Sequence, residues 1–200
     1  MLPATVHKRL DALEQISRQG RKINGLFRLM ESPDLWLQAY ANLYPNKGAV
    51  TRGIDAVTMD GFSTERVANL TRLLTEGRYH FKPARRVYIP KANGKTRPLG
   101  IPSGDDKLVQ EVARLLLERI YEPVFSGDSH GFRPGRSCHT ALTQMRRTWH
   151  GVKWLVDVDI AGFFEHIDHR VLVQALIKKI DDKRFINLIN AMLKAGYVED

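Results

Sequence analysis

The chain has 200 residues, enough to bury a core in one or two domains, and its 43% hydrophobic content excludes a disordered protein. The single cysteine, Cys138, excludes a disulfide framework and a cysteine-cluster zinc site. We expect a cytoplasmic protein that does not bind a membrane. The net charge is +9, and two stretches, 77–104 and 129–156, carry Lys and Arg but no Asp or Glu. Such stretches indicate a phosphate-backbone partner, and the alternative is a solvated basic surface.

The N-terminal segment has helical periodicity. A helix is predicted over 5–31, with breaks at Gly20 and Gly25. Its apolar stripe consists of Val6, Leu10, Leu13 and Ile16. Such a stripe more often packs internally, and the alternative is a surface that forms a homodimer.

Two further helices follow, separated by a loop. Ser32 suits the N-cap and Pro33 the first position of the second helix. The apolar face of that helix consists of Leu35, Trp36, Ala39, Tyr40 and Leu43. A glycine-containing loop spans 46–55, and a third helix is predicted from Ser63 to about Gly77.

A β-hairpin is predicted over 85–101. Its first strand alternates in the manner of a half-buried strand, and Asn93-Gly94 is a strong turn signal. Pro98 and Pro102 place the returning strand at a sheet edge, because proline cannot donate to a neighbouring strand.

Helices and one strand make up the rest. Asp105-Asp106 opens an amphipathic helix that runs to Ile120, and Ser137 caps the next helix. An isolated strand is predicted over 154–160.

Two helices close the chain. Asp168 caps the first, which runs to about Ile180, and the last ends at Gly196. The pattern predicts a helix-rich α+β fold, in which the partners of the single strand lie outside these residues.

Two carboxylates on the predicted strand are candidates for metal binding. Asp157 and Asp159 have the same parity, so both point to one face. Strand-held carboxylates suit Mg²⁺, and two such ions drive in-line phosphoryl transfer. The alternative is that these aspartates cap the following turn. A zinc hydrolase built on 165–169 is disfavoured, because no His-Glu-x-x-His order exists there.

The sequence DIAGFFEHIDH, 159–169, resembles the first catalytic-aspartate motif of group II intron reverse transcriptases. The resemblance implies that Asp159 is catalytic and binds Mg²⁺ together with the backbone carbonyl of Ile160. It also implies that Phe164 excludes a ribose 2′-hydroxyl and so selects deoxynucleotides. The alternatives are that Phe164 is a core aromatic and that Phe163 holds this role.

The sequence YIPKANGKTRPLGIP, 88–102, resembles the fingers hairpin of the same family. The resemblance implies that Lys91 and Arg97 bind the triphosphate of a dNTP, one as a point charge and the other as a bidentate fork. Two ordinary surface cations are the alternative.

Three other segments extend the resemblance. The loop 46–55 is similar to the family's N-terminal motif, which contacts intron RNA and covers the template. Residues 106–111 match a helix that lies beside the template in the family. Residues 129–141 also match the family's sequence pattern. Candidate nucleic-acid-binding residues are Lys47, Arg85, Arg86, Lys107, Arg133 and Arg136.

The resemblance implies a right-hand polymerase, with a helical N-terminal extension over 1–60, fingers over 61–150 and an incomplete palm over 151–200. Spacing in the N-terminal region is most similar to the mitochondrial-like lineage. The implied activity is RNA-directed DNA polymerisation in intron splicing and retrohoming. The implied partners are group II intron RNA, an RNA template with a DNA primer, and dNTP.

The family's second catalytic carboxylate pair, in a Tyr-x-Asp-Asp hairpin, has no counterpart in these residues. Asp105-Asp106 is predicted to start a helix, and Asp181-Asp182 lies between two helices. We therefore expect the 200-residue chain to be inactive by itself. Two alternatives remain open: an RNA-binding maturase module without chemistry, and one half of a split polymerase.

Overall fold

The computed structural model describes residues 3–92 and 94–199. The described helices are α1 (Ala4–Arg18), α2 (Leu26–Leu29), α3 (Pro33–Leu43), α4 (Thr64–Thr75), α5 (Gly104–Tyr121), α6 (Cys138–Thr148), α7 (Phe163–His166), α8 (His169–Ile177) and α9 (Lys183–Lys194), with a 3₁₀ turn over Glu122–Val124 after α5. The strands are β1 (Ala84–Pro90), β2 (Thr96–Ile101) and β3 (Tyr197–Glu199). The fold is therefore α+β and helix-rich, as predicted.

Helix α5 is the centre of the hydrophobic core. Its apolar positions recur every three or four residues, and α1 and α3 both pack on them. Its fully buried side chains are Leu108, Val109, Val112, Leu116 and Ile120. The stripe on α1 is buried at Val6, Leu10 and Leu13, so it packs internally, which is the first of its two predicted alternatives.

Contacts between the two ends of the chain complete this core. Ile23 forms a parallel β-bridge with Ile180, and its amide donates to the carbonyl of Lys179 at 2.8 Å. The buried carboxylate of Asp182 accepts from the amide of Phe27 at 2.9 Å. One buried cluster consequently runs from α1 to α9.

The three strands form one sheet in the order β2–β1–β3. The β1–β2 hairpin is antiparallel and pairs Arg85 with Ile101 and Ile89 with Arg97. Asn93 of the predicted turn lies outside the described residues, and Gly94 has the positive φ of 77° that its position in the turn requires. β3 pairs parallel to β1 and was not predicted, because it depends on a partner more than a hundred residues earlier in the chain.

The prediction of a strand over 154–160 is wrong. These residues have no regular secondary structure, and their apolar side chains are exposed, with Trp154 87% exposed. The local pattern suits a strand, but none of the described residues pairs with it, and an unpaired strand is not stable in water.

The predicted helix limits are correct where a cap fixes them. Ser63, Ser137 and Asp168 each accept a hydrogen bond from an amide of the helix that follows. Ser32 occupies the N-cap of α3 without such a bond. The end of α1 at Arg18 agrees with the predicted break at Gly20, whereas α8 ends at Ile177 rather than near Ile180. Among the described residues, no helix combines the length and apolarity needed to cross a bilayer.

Candidate nucleotide and nucleic-acid interface

Two of the exposed cations at the tip of the β1–β2 hairpin are Lys91 and Arg97, the predicted nucleotide ligands. Lys91 directly follows β1, and Arg97 is the second residue of β2, paired with Ile89. The amide of Lys91 donates to the carbonyl of Lys95 at 2.6 Å, which closes the base of the turn. Within the described part of the chain, neither the Lys91 nor the Arg97 side chain has an ion pair. Both cations can therefore bind an external anion without breaking a protein contact.

Arg86 on β1 has partners within the sheet. Its guanidinium carbon lies 3.3 Å from the centroid of the Tyr197 ring, and it donates to the Glu199 carboxylate at 3.3 Å. The hydroxyl of Tyr88 donates to the same carboxylate at 2.8 Å. These hydrogen bonds from Tyr88 and Arg86 lower the pKa of Glu199. Arg86, predicted to bind nucleic acid, thus joins β1 to β3.

Two other predicted nucleic-acid ligands contact the loop 46–55. The Lys107 ammonium donates to the carbonyls of Gly48 at 3.0 Å and Thr51 at 2.8 Å. The Arg85 guanidinium donates to the carbonyls of Gly53 at 3.1 Å and Arg52 at 2.9 Å. Burial lowers the pKa of Lys107.

Hydrogen bonds to Asp55 fix the end of this loop. Its carboxylate accepts from the Lys82 ammonium at 2.5 Å and from the Ser103 hydroxyl at 2.9 Å. Burial by itself would raise the pKa of Asp55, but the hydrogen bonds from Lys82 and Ser103 outweigh it and lower the pKa. The loop is consequently held against the start of α5.

The helix predicted to lie beside the template begins with a buried carboxylate. Asp106 accepts from the Tyr79 hydroxyl at 2.6 Å and from the backbone amide of Lys82 at 3.1 Å. Burial raises the pKa of Asp106 despite these bonds, and burial together with Asp106 raises the pKa of Tyr79. Asp106 thus joins the start of α5 to the segment that leads into β1.

Arg133 and Arg136 both donate to protein oxygens. The Arg133 side chain is only 7% exposed; it pairs with the Glu122 carboxylate at 2.8 Å and donates to the carbonyls of Ser126 and Ser129 at 2.7 Å. The hydrogen bond from Arg133 lowers the pKa of Glu122. Arg136 donates to the carbonyl of Gly127 at 3.2 Å.

The predicted metal ligands are separate from other ligating groups. Asp157 and Asp159 lie on the exposed segment that precedes α7. Across 3–92 and 94–199, no cluster of three His, Cys, Asp or Glu side chains is suitable for a metal ion. These residues therefore do not fit a complete Mg²⁺ site, and Asp159 with the Ile160 carbonyl would supply only part of one.

The aromatic pair beside these carboxylates is also exposed. Phe164 is 83% exposed and Phe163 46%, and their rings meet edge to face at 5.3 Å between centroids. Phe164 is therefore not a core aromatic in this chain, which was one of the alternatives for it.

Comparison with known proteins connects the hairpin and this segment. Residues 89–199 match the family described as reverse transcriptase (RNA-dependent DNA polymerase). The chain belongs to that family. The matched range contains Lys91, Arg97, Asp159 and Phe164, so the hairpin tip and the carboxylate segment are parts of one reverse transcriptase domain.

Its relatives include a group II intron-encoded protein. This reverse transcriptase chain is 48% identical over 194 residues to the group II intron-encoded protein LtrA of Lactococcus lactis, across 94% of the chain and 32% of LtrA. It is 45% identical over 167 residues to a 91 kDa protein in the cob intron of Schizosaccharomyces pombe, across 84% of the chain and 21% of that protein. It is 37% identical over 93 residues to nuclear intron maturase 1, mitochondrial, of Arabidopsis thaliana, across 46% of the chain and 13% of that protein. The chain thus spans a third or less of the length of these relatives.

Sequence reasoning missed the groups that fix this reverse transcriptase interface in place. Lys82, Ser103 and Tyr79 bind the carboxylates of Asp55 and Asp106, yet none was a candidate. A polar residue directly after Pro102 and an aromatic residue two positions after Gly77 are weak signals, and only folding brings these groups next to Asp55 and Asp106.

Proposed function

We propose that this chain forms the fingers and the first part of the palm of an RNA-directed DNA polymerase encoded by a group II intron. In this proposal the N-terminal extension covers 1–60, the fingers 61–150 and the start of the palm 151–200. The intact cytoplasmic protein binds intron RNA, template–primer and dNTP during splicing and retrohoming. The observation that carries the proposal is that Lys91 and Arg97 at the hairpin tip have no ion pair among the described residues and lie within the segment that matches the reverse transcriptase family.

The hairpin tip suits a triphosphate for electrostatic reasons. Arg97 offers a planar fork that matches two phosphate oxygens, and Lys91 offers a compact charge with three donors. Because neither side chain has an ion pair among the described residues, nucleotide binding does not first have to disrupt a protein contact. Arg86, in contrast, would have to leave Glu199 and Tyr197 to reach a phosphate.

Catalysis requires residues beyond these 200. Asp159 and the Ile160 carbonyl would provide part of the Mg²⁺ coordination, and Phe164 would lie beside the sugar of the incoming nucleotide. Among the described residues, Asp159 belongs to no group of three or more His, Cys, Asp or Glu side chains that could hold a metal ion. The chain by itself is therefore expected to bind substrates without polymerising DNA. A homodimer would need a surface other than the α1 stripe, which is buried.

Nucleotide binding can be measured on the 200-residue chain. A radiolabelled dNTP is photo-crosslinked to the wild type, to Lys91→Met, to Arg97→Met and to Lys8→Met, a control that removes an exposed cation from α1. Loss of crosslinking in both hairpin variants but not in the control supports the proposal. Equal crosslinking in all four proteins contradicts it.

Primer extension tests catalysis on an RNA template with Mg²⁺ and dNTPs. The expected result is no extension by the wild-type chain. Templated extension that disappears in Asp159→Ala would mean that residues of this chain complete the metal site, contrary to the geometry described above.

An RNA-binding module without chemistry is the second candidate function. The observation in its favour is that Lys47 and Arg52 are exposed on a loop whose backbone is held by several side chains, whereas the carboxylate segment lacks a metal cluster. RNA affinity then falls steeply with KCl and does not require Mg²⁺. Binding of dNTP that requires the hairpin cations would argue against this candidate as the only function.

A further inference from the structure

The loop 46–55 is held through its main chain. Four of its carbonyls, those of residues 48, 51, 52 and 53, accept hydrogen bonds from two side chains. Lys107 binds those of Gly48 and Thr51, and Arg85 binds those of Arg52 and Gly53, at 2.8–3.1 Å. Hydrogen bonds from charged donors to carbonyls are stronger than neutral ones.

Close packing reinforces this attachment. A Cβ atom on Gly53 would lie 2.7 Å from backbone atoms of Pro102 and Ser103, so only glycine allows this approach. Ala49 and Met59 are buried, and the Met59 amide donates to the Ala49 carbonyl at 3.1 Å. The loop backbone consequently has little room to move.

Other side chains of the loop point to solvent. Lys47 and Arg52 are exposed, as are Val50 at 56% and Ile54 at 46%. Cations interleaved with apolar groups suit a nucleic-acid strand, whose phosphates and base faces alternate. The loop therefore has an inner face of carbonyls and an outer face of basic and apolar side chains.

We propose that Lys107 and Arg85 are positioning residues, which hold the loop 46–55 by its carbonyls so that Lys47 and Arg52 contact RNA phosphates. This inference rests on the proposed function, because it takes RNA as the ligand. It assigns Lys107 and Arg85 a role different from direct phosphate contact. Two of the three ammonium donors of Lys107 are already used, and its side chain is partly buried.

Salt dependence distinguishes the two roles. The affinity of the 200-residue chain for a fluorescein-labelled single-stranded RNA is measured by anisotropy across a KCl series. Loss of one phosphate contact lowers the slope of log affinity against log salt by about 0.7. Lys47→Met is expected to show this decrease. Lys107→Met is expected to bind RNA more weakly at every KCl concentration with the wild-type slope, because its released loop must be ordered on binding but then makes the same phosphate contacts.

Hydrogen exchange of the free protein measures the attachment without RNA. The reporters are the amides of Ala49, Thr51 and Met59, which are hydrogen-bonded within the loop. Losing two charge-assisted bonds is expected to accelerate their exchange by at least about tenfold in Lys107→Met. Lys47→Met is expected to leave the exchange of these amides unchanged. If Lys107→Met does not fold, Arg85→Gln replaces it in both measurements.

The results separate this inference from the proposed function. A slope reduced by about 0.7 in Lys107→Met, or loop exchange equal to that of the wild type, overturns the positioning role. Absence of RNA binding by the wild-type chain overturns the proposed function and with it the role of the loop toward RNA. In that case faster loop exchange still identifies the attachment as a structural one.

Discussion

The Asp182 carboxylate joins two parts of the chain through two backbone amides. It accepts from Phe185 at 3.0 Å as the N-cap of α9, and from Phe27 at 2.9 Å, 155 residues away. Loss of an N-cap costs about 1 kcal/mol. A buried amide left without an acceptor costs about 1–3 kcal/mol more. Asp182→Ala is therefore expected to lower the free energy of unfolding by about 2–4 kcal/mol.

Urea denaturation followed by circular dichroism measures this loss. The matched control is Ser63→Ala, which removes the N-cap of α4 and no long-range bond, with an expected cost of about 1 kcal/mol. Both values come from linear extrapolation with equal m-values. If Asp182→Ala destabilises the chain no more than Ser63→Ala, the bond to Phe27 does not contribute to stability and the reasoning is refuted.

Three further outcomes are expected. Gly53→Ala lowers the unfolding free energy by about 1–3 kcal/mol because its methyl group meets backbone at 2.7 Å, whereas Gly48→Ala, with open space around it, changes it by less than about 0.5 kcal/mol in the same urea assay. The pKa of Asp55 is lowered in the folded state, so its ionised carboxylate stabilises the fold at pH values above its ordinary pKa of 3.8. This stability is lost as the pH falls through the pKa of the folded state. The unfolding free energy of Asp55→Asn, measured across an acid pH series, should accordingly fall less toward low pH than that of the wild type. Trp154→Gln leaves thermal stability unchanged within about 0.5 kcal/mol, because that side chain is 87% exposed; a larger loss would mean that 154–160 packs on the core.

Helices and caps could be predicted because their causes are local. Ser63, Ser137 and Asp168 each bind an amide two or three residues later, and this distance is visible in the sequence. The apolar face of α5 is also local, since it repeats along one helix. Buried positions in these elements follow from periodicity alone.

Strand pairing could not be predicted in the same way. The segment 154–160 has a suitable composition but lacks a partner among the described residues, and β3 has only three residues yet pairs with β1. Whether either segment forms a strand depends on which other segment lies beside it, because the stability of a strand comes from that neighbour.

In the candidate site, the charged residues could be predicted from the sequence, but the groups that they bind could not. The sequence identifies Arg85, Lys107 and Arg133 as candidate nucleic-acid-binding cations, but their acceptors are carbonyls or a carboxylate that folding brings close. Lys91 and Arg97 were predicted from the resemblance to the fingers hairpin, and they lack ion pairs among the described residues. Separating the two kinds of cation required the coordinates of the acceptors.

The contact between the first and last parts of the core has a consequence for synthesis on the ribosome. Phe27 leaves the exit tunnel long before Asp182 exists, and the 155 residues between them take on the order of ten to thirty seconds to translate. During that interval α2 lacks its acceptor, and Ile23 lacks its bridge to Ile180. Part of the apolar surface of the nascent N-terminal region therefore stays exposed until the C-terminal part is synthesised. During this time the region would be a substrate for a ribosome-associated chaperone.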